Sequence, residues 1–168
     1  MVNRIRIILF SLLAIIILAG CSGGGFPLVT EPIDSTTVVR QVQYFDRGAE
    51  GLPYEFSVTV PESWVDNFDT TNNGSVVTFR HVTEDGRSAA IFSIHALSFS
   101  QFWKQNGSYP QQFASVHTDW DTYWVSYHPQ DAFYSGLSEE AYAELSAAVP
   151  DIIASFQSTE ASAMMMGQ

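Results

Sequence analysis

Cysteine occurs once in the 168 residues, at position 21, which excludes an intramolecular disulfide and a cysteine-rich zinc site. Positive charge is scarce: seven Lys and Arg stand against eighteen Asp and Glu, for a formal net charge of -11. Phosphate contacts need clustered cations, so a nucleic-acid partner is excluded. The longest apolar run, Ile7 to Ala19 broken only by Ser11, has 13 residues, whereas a spanning helix needs about 20. Catalytic signatures are missing too: there is no G-x-S-x-G turn and no H-E-x-x-H. Gly23 to Gly25 follow no strand and precede no lysine, so they are not a phosphate cradle. What is present is a 46% hydrophobic, 14% aromatic composition. Disordered chains lack both features, so one folded domain is expected.

The first 21 residues divide into a basic start with Arg4 and Arg6, the short apolar run, and Leu18-Ala19-Gly20-Cys21. That three-part order is the pattern of an export signal. Its ending resembles the lipobox of bacterial lipoproteins. The resemblance implies cleavage before Cys21 and a diacylglycerol thioether on its sulfur, which leaves the protein anchored to a cell membrane or an outer membrane, on the extracytoplasmic side. Loss of residues 1–20 removes Arg4 and Arg6 and moves the net charge from -11 to -13. Anionic lipid repels such a body, so attachment is expected from the acyl chains and not from electrostatic docking.

After the cysteine, Ser22-Gly23-Gly24-Gly25, Pro27, Pro32 and the cluster Ser35-Thr36-Thr37 read as a flexible linker over residues 21–37. A linker of that length would let the domain hang clear of the lipid. At the other end, residues 158–168 read as a disordered tail, with Met164 to Met166 its only apolar stretch.

Between them, residues 38–157 carry the periodicities of a domain. Tyr54, Phe56, Val58 and Val60 alternate with Glu55, Ser57 and Thr59, and Pro61 ends that strand. Asn72-Asn73-Gly74 and Asp85-Gly86 are turn signals that frame strands over 75–82 and 89–97 as a hairpin. Ser98 or Ser100 can cap a short helix through Phe102 and Trp103, and Tyr123, Val125 and Tyr127 mark a strand over 122–128. Ser138 followed by Glu139 and Glu140 starts a closing helix whose apolar positions run through Pro150 to Phe156, which predicts one kinked helix. The fold class that follows is α+β, a mainly antiparallel sheet packed by helices.

Tyr54-x-Phe56-x-Val58-x-Val60-Pro61-x-Ser63-Trp64, the Phe92-x-Ile94 strand leading to Phe102-Trp103, and the closing Ile152-Ile153-Ala154-Ser155-Phe156 resemble the PsbP-like fold. That fold is named for a lumenal subunit of photosystem II and shared with a Ran-binding nuclear factor. The resemblance implies an α/β/α sandwich used as a binding or assembly module. It carries over no ligand residues.

Two constellations compete for a function. His117-x-Asp119-x-Asp121 has the donor chemistry of a metal site, and His95 with Ser93, and His128 with Ser126, share strand faces. A triad needs an exposed nucleophile, an oriented base and oxyanion donors, and the pattern supplies only parts. Aromatics are the stronger signal: of 23, eleven lie between Phe99 and Tyr134. Phe102, Phe113, Tyr123 and Tyr127 are expected to fill the core under the closing helix, which leaves Trp103, Trp120 and Trp124 as candidate binding residues. The expected function is a membrane-anchored, non-catalytic module that binds a protein or envelope component, with no metal and no cofactor. The alternative is an envelope hydrolase or metal-dependent enzyme using His95, His117, Asp119, Asp121 and His128.

Overall fold

A computed structural model describes residues 26–43, 45–46, 49–50, 53–83, 86–108, 113–119, 121–129 and 135–160. Cys21, Trp120, the signal segment and Met164 to Met166 lie outside the described residues. The elements are β1 (Val29–Pro32), β2 (Thr37–Val42), β3 (Phe45–Asp46), β4 (Ala49–Glu50), β5 (Tyr54–Thr59), β6 (Phe68–Asn72), β7 (Val76–Val82), β8 (Ser88–Ser98), α1 (Phe99–Ser108), β9 (Phe113–Thr118), β10 (Thr122–Tyr127), α2 (Glu139–Ser146), α3 (Val149–Ala154) and β11 (Gln157–Glu160). A 3-10 turn, Glu62–Trp64, follows β5. A six-stranded sheet runs β1-β6-β7-β8-β10-β9, a three-stranded sheet runs β11-β5-β2, and every pairing is antiparallel. The class is α+β, mainly antiparallel.

Pleating explains which residues meet. Phe92, Ile94 and Ala96 of β8, Phe79 and Val77 of β7 and Trp124 of β10 point to one face of the long sheet. Tyr54, Phe56 and Val58 of β5 and Val38 and Val42 of β2 close on them from the short sheet, with Val149 and Ile152 of α3 alongside. The alternation over 54–60 and the β7–β8 hairpin are therefore as the sequence reads. At the β6–β7 turn, Gly74 adopts φ +102 and its N–H donates to Asn72 Oδ1, a conformation glycine takes without strain.

Three expectations need correction. Residues 29–32 are not linker: β1 pairs with β6, Ile33 is buried, and Arg40 ties β2 to β1 by donating to Pro32 O at 3.0 Å while facing Glu31 at 3.2 Å. Residues 158–160 are not tail, because β11 pairs with β5 from Gln157↔Ser57 to Glu160↔Tyr54. The closing helix is two helices. Proline has no N–H and its ring clashes with the carbonyl four residues back, so α2 ends at Ser146 and Pro150 sits in the first turn of α3, where neither defect matters. Among the described residues no helix is long and apolar enough to cross a membrane.

Candidate functional site

The outer face of the long sheet carries an aromatic platform. It starts with a capping box: Ser98 Oγ accepts from Gln101 N at 3.1 Å, and Gln101 Oε1 accepts from Ser98 N at 3.0 Å. Asp46 Oδ2 accepts a hydrogen bond from the Ser98 hydroxyl at 2.6 Å and holds the cap in place. That start sets the phase of α1, so that Phe99, Phe102 and Trp103 stand at three- and four-residue spacing on one stripe. On β10 the pleat turns Tyr123 and Tyr127 to the same side, opposite Leu97 and Ser93 of β8. Phe102 stacks on Tyr123 at 4.4 Å and meets Phe113 edge-on at 5.8 Å, and Tyr127 Oη donates to Gln105 Oε1 at 2.5 Å.

Phe99 and Trp103 complete the platform from above. Phe99 lies 6.0 Å from Tyr123 and 6.1 Å from Trp103. They remain 63% and 52% exposed, respectively. Rings held by rings beneath them lose little freedom on binding, which is how an aromatic anchor acts on a partner.

Of the aromatics singled out from sequence, Trp103 is in the platform and Trp124 is not. Trp124 pairs with Ala96 on the inner face, is fully buried, and packs edge-on against Tyr54 at 5.9 Å and Phe56 at 5.6 Å. The reason is period-two alternation, which sends it to the side opposite Tyr123. The same alternation corrects Tyr123 and Tyr127, which with Phe113 lie beneath α1 and not beneath the closing helices, while Phe102 is the α1 side chain that packs down on Tyr123 and Phe113. Trp120 falls outside the described residues. Phe99 was missed, although Ser98-x-x-Gln101 was visible and fixes the helix phase.

The His117/Asp119/Asp121 group is a structural joint. Asp119 Oδ2 accepts from Trp124 Nε1 at 2.7 Å and from Ser158 Oγ at 2.6 Å, and Oδ1 lies 3.0 Å from His117 Nε2. Burial by itself raises the Asp119 carboxyl, but the hydrogen bonds from Ser158, Trp124 and His117 and the His117 charge outweigh it and hold the group below the ordinary carboxylate value. Asp121 turns elsewhere and accepts from Tyr54 Oη and, at 3.1 Å, from Thr122 Oγ1. The two carboxylates thus clamp the β9–β10 turn to β11 and β5. No group of three His, Cys, Asp or Glu placed to hold a metal ion occurs among the described residues.

Ser93 Oγ and His95 Nε2 do meet, at 2.9 Å. Burial lowers the His95 pKa to about 4, and Tyr127 covers the ring at 4.3 Å. The imidazole is therefore neutral at neutral pH, with its face closed by a phenol. His95 lies on the outer face, whereas His117 pairs with Trp124, an inner-face residue. Ser126 is buried on the inner face, and His128 lies beyond the end of β10. The candidate catalytic groups are thus spread over two sides of the sheet. No family model matches the chain, and neither a curated protein nor a solved structure matches it.

Proposed function

We propose that the chain is a lipid-anchored extracytoplasmic lipoprotein whose domain binds another protein or envelope component without catalysis. The observation that carries the binding half is the exposed Phe99/Trp103 pair on its aromatic base. The anchor half is supported by Leu18-Ala19-Gly20-Cys21 and the short apolar run before it. A PsbP-like α/β/α sandwich is the finer reading of the fold. It is supported by α1 on one face of the long sheet, α2 and α3 toward the other, and Trp64 buried just after Pro61.

A photo-crosslinker in place of Trp103, in the native envelope, tests the binding reading. One defined product is expected there and none from Glu144 on α2; no product from position 103 or 99 overturns it. Trp103→Ala should weaken the interaction by about 2 kcal/mol or more. Intact-mass measurement of the membrane-extracted protein tests the anchor separately: a free thiol on Cys21 overturns it.

A further inference from the structure

We infer that the β1 edge of the domain rests on the bilayer, with Leu28 and Val29 seated at the boundary between headgroups and acyl chains. The inference rests on Cys21 being the acylated residue. Only four residues separate Cys21 from Phe26. At about 3.6 Å per residue at most, the Phe26 and Cys21 α-carbons lie within about 18 Å of each other. Phe26 is itself fixed to the domain, because its ring covers Gly74 so closely that no Cβ could fit there. The lipid surface therefore cannot be far from whatever surrounds Phe26.

What surrounds it is apolar. Leu28 and Val29 are 68% and 43% exposed, and Phe26, Pro27 and Val29 line a cavity of about 220 Å³ with Val42, Pro53, Gly74 and the polar Gln41, Gln43 and Asn72. Val39, two residues from Gln41 along β2 and hence on the same side of the strand, adds a further exposed apolar side chain. With a net charge of -13 after loss of residues 1–20 the chain has no electrostatic route to an anionic surface, whereas apolar insertion needs no cation. A short tether also raises the local concentration of lipid at this face, so small apolar contacts suffice. Sheet order then gives the domain an orientation. β8 and β10 stand three and four strands from β1, or about 14 and 19 Å at about 4.8 Å per step, so the aromatic platform is carried away from the tethered edge.

The test uses the full lipoprotein extracted from membranes, with Leu28→Cys as its one free thiol once Cys21 is acylated. The thiol carries an environment-sensitive fluorophore, and the protein is placed in phosphatidylcholine vesicles bearing a spin-label quencher on the acyl chain. Quenching at position 28 is expected to exceed that at Glu144→Cys several-fold. Adding Val29→Asp should reduce it toward the Glu144 level while the protein stays on the vesicles. Equal quenching at the two positions, in protein whose mass shows the diacylglycerol, overturns the inference and leaves the anchor standing. A mass without diacylglycerol removes the anchor and this inference with it. Fluorophore self-quenching at position 28 that disappears on dilution with unlabelled protein assigns the face to a second copy and overturns the lipid assignment.

Discussion

Tyr123 and Trp124 are neighbours in the chain and lie on opposite sides of one sheet. Trp124 is fully buried, with its indole N–H satisfied by Asp119 and its ring held by Tyr54, Phe56 and Phe156. Tyr123 is half-buried beneath Phe102, in a cluster that leaves Phe99 and Trp103 in solvent. Both neighbourhoods are rich in aromatic rings, so composition cannot tell them apart. The difference is that the inner rings have a second sheet to close on, whereas the outer ones have a single helix of ten residues. Aromatics on the first side form the core, whereas the second side leaves Phe99 and Trp103 exposed.

The sharpest way to break that division is to truncate one ring from each side. Trp124→Ala is expected to destabilise the domain by about 3–5 kcal/mol in urea unfolding, as for other buried aromatics. A loss below about 1 kcal/mol would mean that the inner face is not the core.

A second test uses pH. His95 titrates near 6.5 when unfolded and at about 4 when folded, because burial disfavours its charge. The folded pKa is lowered, so the unfolded chain binds the extra proton. Stability should therefore fall by about 1.4 kcal/mol per pH unit as pH drops through that window, and His95→Leu should flatten this part of the curve. Asp119 has the same sign of linkage at lower pH: its stabilisation is present above the ordinary carboxylate value and is lost as pH falls through the lowered one.

Asp119→Ala leaves the buried Trp124 N–H without its acceptor and should cost about 1–3 kcal/mol, measured by thermal or urea unfolding. Ser158→Ala removes only one of the Asp119 donors and should cost less, about 1 kcal/mol. Trp103→Ala should change stability by no more than about 0.5 kcal/mol, since more than half of its surface is already in water. A large loss there would make the platform part of the core and remove the case for a partner.

The elements legible in the sequence were those with an internal period: β5 from Tyr54 to Thr59, the β7–β8 hairpin that follows Gly74 and turns at Gly86, β10, and the start of α2 after Ser138. β1, β6 and β11 were not, for a common reason. Val29-Thr30-Glu31-Pro32 is an edge strand with all four residues exposed, so nothing in it alternates. β6 buries Thr70 and Thr71 beside Phe68, and threonines do not register as apolar. Residues 157–160 are polar or small and form a strand because β5 offers them a ladder. In each case pairing with a distant partner supplied the stabilisation that local pattern lacked.

The candidate site was legible in the same uneven way. The density of aromatics between Phe99 and Tyr134 could be counted, and Trp103 could be named, but the phase relating Trp124 to Tyr123 was ambiguous without knowing which face met the second sheet. By itself, the chain determined its net charge, its single thiol, the short apolar run at residues 7–19 and the α+β class, since each depends on composition or on neighbours within a few residues. Tertiary structure alone decided that Trp124 is core and Phe99 surface, that His95 and His117 do not converge, and that Val29–Pro32 joins the long sheet as its edge strand. Those outcomes depend on which strands pair across long sequence separations, and that choice is made by packing of the whole sheet.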